Sequence, residues 1–253
     1  MFNLYPYLLF FLKKKNIPFK DLIPEGFVDI HSHLLPGIDD GVKTISQSAY
    51  IIESLEQMGV EKIITTPHVM QDVWPNTSSI IRDKLRTMQE ALASLKLDKI
   101  PLLASAEYMM DDAFLKRIQV KDILPLYDSY VLVEMSTFSA PINLSEMIFQ
   151  IKVAGYSPIL AHPERYAFYH DDFSKYEDLK TSGFDFQLNL LSLSGHYGKK
   201  VQKVAVHLLK KGYIDFVGSD IHNYQHLHTI QKGFSPKLSA LIEPILSKNC
   251  VFT

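Results

Sequence analysis

Seven short β-rich runs, spaced roughly 30 residues apart, limit the folds open to this 253-residue chain more than any other feature. They are FVDIHSH (27–33), KIITTPH (62–68), PLLASAE (101–107), YVLVEM (130–135), SPILAHPER (157–165), FDFQLNLLSL (184–193) and YIDFVGSD (213–220). Their near-continuous Val, Ile and Leu content, without strict alternation, indicates strands buried on both faces, as in a parallel sheet. Helical patterns fill the intervals. Ile81, Leu85, Met88, Leu92 and Leu95 make one apolar stripe on a helix that starts after Asn76 or Thr77. Residues 46–58 read as another, stopped by Gly59. Asn143 with Glu146 predicts a capping box before Leu144, Ile148 and Ile151, with Gly155 as the stop. Val201, Val204, Ala205 and Leu208 repeat the stripe before Gly212. This alternation predicts an α/β fold, a (β/α) barrel rather than an open doubly wound sheet. No Pro/Gly/Ser-rich linker interrupts it, so residues 26–253 read as one domain behind an extension over residues 1–25.

The extension begins with twelve strongly apolar residues (MFNLYPYLLFFL) followed by Lys13, Lys14 and Lys15. A membrane span needs roughly 20 apolar residues, and a secretory signal carries its charges before the apolar stretch, not after it. The segment reads instead as an arm packed on the domain, on a second copy in a homo-oligomer, or on a membrane surface. Lys+Arg 26 against Asp+Glu 28 leaves no basic excess, which argues against a nucleic-acid partner. The single cysteine, Cys250, excludes an internal disulfide framework and a cysteine-ligated zinc site and suits a reducing cytoplasm.

Barrel active sites lie at the C-terminal ends of the strands. There the chain places His31, His33 and the following Asp39-Asp40-Gly41, then His68, Glu107, Glu134, His162, and finally Asp220 and His222. Residues two apart on a strand point the same way, so His31 with His33, and Asp220 with His222, can each reach one ion. One histidine at a strand end is usually a hydrogen-bonded polar residue. Five of the ten histidines at strand ends, with several carboxylates, describe a metal site. Carboxylates that converge so closely need cations to stay ionised. Imidazole and carboxylate without thiolate suit Mn, Fe or Zn, and about nine ligands require more than one ion.

The strings VDIHSHLLPGIDDG, TTPH, SAEY, the strand ending at Glu134, AHPERY and SDIHN resemble the PHP (polymerase and histidinol phosphatase) superfamily. More narrowly, they are similar to bacterial metal-dependent protein-tyrosine phosphatases of capsule and exopolysaccharide synthesis. The resemblance covers residues 28 to 223. It implies a distorted (β/α)7 barrel with a three-metal centre, manganese first, with Fe or Zn as alternatives. It implies His31, His33, Glu107 and Asp220 around one ion, Asp40, His68 and His222 around a second, and Glu107, Glu134 and His162 around a third. Glu107 bridges, and Asp39 is left to cap the following turn. The implied substrate is a phosphotyrosine protein, the C-terminal tail of a bacterial tyrosine kinase, met in the cytoplasm or at the inner face of the membrane.

Attack by a hydroxide held between metals would hydrolyse the phosphomonoester, because metals lower the pKa of bound water. Arg165 is placed to hold the phosphoryl oxygens in a fork and, with Asp220 and His222, makes up the catalytic set. A phenolate leaving group, reference pKa about 10, departs more readily than a serine alkoxide, which favours phosphotyrosine. Cys250 has no anion-binding loop after it, which excludes a cysteine nucleophile. Relatives often carry an arginine beyond the DxH motif; here HNYQHLHTIQKG has none, leaving His226, His228, Lys199 or Lys200 as substitutes. Histidinol-phosphate or another small phosphomonoester is the alternative substrate. An inert kinase-binding regulator is the reading from a different class.

Overall fold

The computed structural model describes residues 15–253; the apolar run 1–12, and the docking expected of it, lie outside the described residues. The chain enters the core early. Ile17 and Phe234 exchange both backbone hydrogen bonds, at 2.8 and 3.1 Å. Phe19 is buried edge-to-face between Phe27 and Phe234, with both pairs of centroids 6.2 Å apart.

The elements then alternate. β1 (Val28–Asp29) leads to α1 (Ile45–Met58), β2 (Lys62–Thr65) and β3 (His68–Val69) to α2 (Ser78–Leu95), and β4 (Leu102–Ala104) and β5 (Glu107–Met109) to α3 (Asp112–Val120). Next come β6 (Tyr130–Glu134), α4 (Leu144–Val153), β7 (Ser157–Ala161), α5 (Ser174–Thr181), β8 (Asp185–Asn189), α6 (Leu190–Ser194), α7 (Lys199–Lys211), β9 (Phe216–Gly218), α8 (Tyr224–Gln231) and α9 (Pro236–Leu246). Every strand pair is parallel. One ladder runs β1-β2-β4 and the other β3-β5-β6-β7-β8-β9. The curled sheet continues across the breaks, because Ser105 donates to Thr65 O at 2.9 Å and Glu107 to Pro67 O at 3.1 Å. A parallel bridge, Ser32 to Ile221, joins the first strand region to the last.

The curl explains the missing alternation in sequence. Val28, Ile30, Ile64, Leu132, Ile159 and Phe216 pack in one cluster with Phe252. Their strand neighbours Ile63, Val131, Val133, Leu160 and Val217 join a second cluster with the helices. Both faces of each strand therefore bury apolar side chains. Phe216, Tyr130 and Phe252 meet edge-to-face where the C-terminal turn Ser247–Phe252 reaches the inner cluster.

Helix starts follow local chemistry. Thr44 and Gln47 form a capping box at α1, and Thr77 caps α2 by accepting from Ile80 N. Three expectations need correction. The Asn143–Glu146 capping box does not form, since Asn143 makes no side-chain cap bond and Glu146 accepts from Gln150 instead. The run 184–193 is strand only to Asn189; Asn189 then accepts from Leu191 N and starts α6. The second and third runs each break into two strands, at Thr66-Pro67 and Ser105-Ala106. No helix among the described residues is long and apolar enough to cross a membrane.

Candidate metal centre

Strand ends carry all the metal-type side chains to one place. His31 and His33 follow β1, His68 opens β3, Glu107 opens β5, Glu134 closes β6, His162 follows β7, and Asp220 and His222 follow β9. Asp40 arrives on the turn after His33. Crowding shapes the backbone here. A Cβ on Gly218 would lie 2.5 Å from His31 Cβ and 2.6 Å from Gln187 Nε2, so β9 can pass only as glycine. His162 and Asp220 both take positive φ, 35° and 50°. Such conformations cost non-glycine residues about 1–3 kcal/mol and persist only where the surroundings impose them. His162 N donates to Gln187 O at 2.8 Å, and Asp220 N donates to His31 O at 2.8 Å.

The nine expected side chains converge in four overlapping groups, each with donor atoms within 4.8 Å: His33/Asp40/His68/His222, His31/His33/Asp220, His31/Glu107/His162 and His68/Glu107/Glu134. Glu107 joins two groups, with Oε1 2.9 Å from His162 Nε2 and Oε2 3.2 Å from both His31 Nε2 and His68 Nδ1. Glu134 sits nearer His68 (2.9 Å) than His162 (3.9 Å). Its closer imidazole therefore differs from the one the family pattern implies.

These contacts do not satisfy one another. His31 Nε2 and His33 Nε2 face each other at 3.4 Å. Glu107 Oε2, Glu134 Oε1 and His68 Nδ1 are buried without a hydrogen bond. Buried polar atoms are ordinarily paired. Nitrogen and oxygen donors aimed at common points, with no thiolate among them, fit borderline or hard divalent cations.

A second layer of hydrogen bonds turns the imidazoles. Gln187 Oε1 lies 2.7 Å from His31 Nδ1, Asp39 Oδ2 lies 2.8 Å from His33 Nδ1, and Asp220 O lies 2.9 Å from His222 Nδ1. Each leaves Nε2 for the site, the arrangement that fixes tautomer and ring orientation in metal centres. Asp39 also accepts from Gly41 N at 2.9 Å, the expected turn cap, and from His68 N at 3.1 Å. Asp29 fastens β1 to β9 by accepting from Ser219 Oγ at 2.6 Å and Ser219 N at 3.0 Å.

Electrostatics follow the same geometry. Burial alone would push the imidazoles down. Glu107 and Asp220 reverse this for His31, Asp39 foremost for His33, and all three are held above the ordinary range once His68 is included. His68, beside Glu107 and Glu134, is raised to about 9. His162 is lowered, by burial and then by Arg165. Burial would raise Glu107 and Asp220, but the surrounding histidines hold both well below the usual carboxylate range. A cleft of about 220 Å³, lined by Asp40, Lys43, His222 and Tyr224 among others, opens beside the centre.

Arg165 reaches the site from the turn Pro163–Arg165, where Nη1 donates to Asp220 Oδ2 at 3.0 Å. Asn189 Nδ2 donates to the same oxygen at 2.5 Å, which leaves Oδ1 toward the histidines. Of the suggested arginine substitutes, His226 lies against His222, with centroids 5.5 Å apart. His228 is exposed and bonds Gln231, and exposed Lys200 pairs with Asp171. Lys199 is an exposed residue that opens α7. Sequence reasoning missed Gln187, Asn189, Asp29 and Tyr197. The signal for Gln187, Asn189 and Asp29 was a polar residue inside an apolar strand run; Tyr197, on the loop between α6 and α7, carried none.

Fold and site together define an α/β protein with a buried histidine–carboxylate cluster able to hold metal ions. Residues 27–235 match the family described as capsular polysaccharide synthesis, CpsB/CapC, and the chain belongs to that family. It is 27% identical over 226 residues to the tyrosine-protein phosphatase YwqE of Bacillus subtilis, covering 85% of this chain and 88% of that one. It is also 27% identical over 202 residues to the tyrosine-protein phosphatase CpsB of Streptococcus pneumoniae, covering 78% and 83%. A solved structure from work on YwqE and CpsB, described as unique metal-dependent tyrosine phosphatases, matches at TM-score 0.75 and 26% identity over 86% of each chain. The lactonase Lmo2620 of Listeria monocytogenes, at 12% identity and TM-score 0.53, shares the fold alone.

Proposed function

We propose that this chain is a metal-dependent protein-tyrosine phosphatase. The observation that carries the reading is the convergence of five imidazoles and four carboxylates, several of whose donor atoms are buried without a hydrogen bond, on shared points. The names of the two relatives, aligned over more than three quarters of both chains, supply the substrate class. In this reading the chain is a single domain from residue 26, a distorted (β/α)7 barrel of the PHP type behind its N-terminal arm. His31, His33, Asp40, His68, Glu107, Glu134, His162, Asp220 and His222 are the ligands, with Glu107 shared, and manganese is the first candidate ion. Its substrate is the tyrosine-rich tail of a kinase governing capsule or exopolysaccharide synthesis, reached from the cytoplasm.

Bound divalent cations supply Lewis acidity toward phosphoryl oxygens and lower the pKa of bound water. The protein does the rest. Gln187, Asp39 and the Asp220 carbonyl hold three imidazoles with Nε2 inward. Asn189 and Arg165 anchor Asp220 by one oxygen, so the carboxylate cannot rotate. Arg165 has five N–H donors and spends one on Asp220, which leaves others for phosphoryl oxygens. The tyrosyl leaving group departs as a phenolate, so the site needs no strong acid behind it.

Hydrolysis of a phosphotyrosine peptide with Mn²⁺, beside a phosphoserine peptide and histidinol phosphate, tests the substrate class. Preferential release from the phosphotyrosine peptide, abolished by chelation, is expected. Faster turnover of histidinol phosphate would overturn it.

A further inference from the structure

Tyr197 has no part in the chemistry above, yet it contacts the residue that handles phosphate. It stands on the loop between α6 and α7, where Gly195 and Gly198 take φ of 82° and 91° and turn the chain sharply on either side. This brings the ring against Arg165, whose Cζ lies 4.5 Å from the ring centroid. The Tyr197 hydroxyl is 3.2 Å from Asn189 Nδ2 and 3.4 Å from Asp220 Oδ2. His196 packs on the ring edge-to-face at 4.9 Å. Burial, and then the Asp220 charge, push the phenol above its ordinary range, so it stays a neutral ring with a hydroxyl.

We propose that Tyr197 is the positioning residue for Arg165, its ring serving as the platform that keeps the guanidinium donors turned toward the phosphoryl group. An arginine side chain is long and carries much rotamer freedom. Asp220 restrains only Nη1, at one point, about which the guanidinium plane can still swing. The aromatic face adds a second restraint on that plane, and cation–π contact is strongest where water is excluded. The hydroxyl is secondary, because Asp220 Oδ2 already accepts from Arg165 and Asn189. The identity of the anion rests on the phosphatase reading above; the ring–guanidinium contact does not.

The probe is inorganic phosphate, read as the concentration giving half-maximal thermal stabilisation of the Mn²⁺-loaded protein. KM and kcat on para-nitrophenyl phosphate are measured alongside. Tyr197→Leu should require about tenfold more phosphate and raise KM in parallel, with kcat changed less, the scale of a half-buried cation–π contact. Tyr197→Phe should stay within about twofold, because the ring is retained. In an Arg165→Ala background, Tyr197→Leu should add less than about twofold, since a residue acting through a missing partner has nothing left to change. Bound metal, measured by mass spectrometry, should be equal in the unmodified protein, Tyr197→Leu and Tyr197→Phe, all of which keep the Arg165 contact to Asp220.

Phosphate binding by Tyr197→Leu equal to that of the unmodified protein would overturn the proposal. So would an equal loss in Tyr197→Phe, which would make the hydroxyl the operative group, or loss of metal in Tyr197→Leu, which would move the effect to Asp220. An unmodified protein that binds phosphate but hydrolyses no phosphomonoester would leave the platform standing and remove the phosphatase reading. One that binds no phosphate would remove both.

Discussion

At the scale of single residues, the centre depends on side chains that touch no reacting group. Asp39 turns His33 through a 2.8 Å contact to Nδ1, and Gln187 turns His31 through one of 2.7 Å. Asp39→Ala should weaken Mn²⁺ binding about 10- to 100-fold, the usual cost of losing such a partner. Titration calorimetry reads this directly, and unchanged affinity would reduce Asp39 to a turn cap. The pH dependence of binding has a definite sign. Without cations His68 keeps a proton up to about 9 because Glu107 and Glu134 outweigh its burial. A cation must displace that proton, and those held by His31 and His33, so affinity should climb as pH rises from 6.5 to 9. Binding independent of pH in that window would contradict the arrangement. The clustering of these histidines and carboxylates was legible in sequence because such residues at i and i+2 near strand ends can point one way. Gln187, Asn189 and Asp29 were not, since one polar residue in an apolar run gives no hint of the neighbour it meets from another strand.

Among the elements, the parallel strand runs and the helices α1, α2, α4 and α7 could be read, and the failures have physical causes. The run FDFQLNLLSL is apolar throughout, and a short apolar run cannot distinguish a strand from a buried helix by periodicity. Asn189 decides it, by capping α6 at the end of β8. The breaks in the second and third runs fall just before His68 and Glu107, so each of these residues opens a new strand. The sequence marks the first of these only by Pro67. The packing of β9 against β1 predicts the consequence of a single methyl. Gly218→Ala should cost about 1–3 kcal/mol by forcing His31 and Gln187 apart. It should lower Tm and metal content together, and a variant with the Tm and metal of the unmodified protein would show that β9 has room to spare.

For the whole molecule, the proposed metal centre draws its side chains from six strand regions, so bound cations would fasten the curled sheet together. His31 and Asp220 meet across the Ser32–Ile221 bridge that joins the first strand region to the last. Cations that bind only the folded chain stabilise it by mass action, about 2.7 kcal/mol for each site at a hundredfold excess over Kd. Chelation should therefore lower Tm by several degrees, and restoring Mn²⁺ should reverse it. The most direct test of the account is the number of Mn²⁺ ions bound per chain at equilibrium, measured by elemental mass spectrometry after dialysis. Close to three per chain is expected, falling in His33→Ala with the fold retained by circular dichroism. One ion or none, or a stoichiometry untouched by His33→Ala, would contradict a shared multinuclear centre.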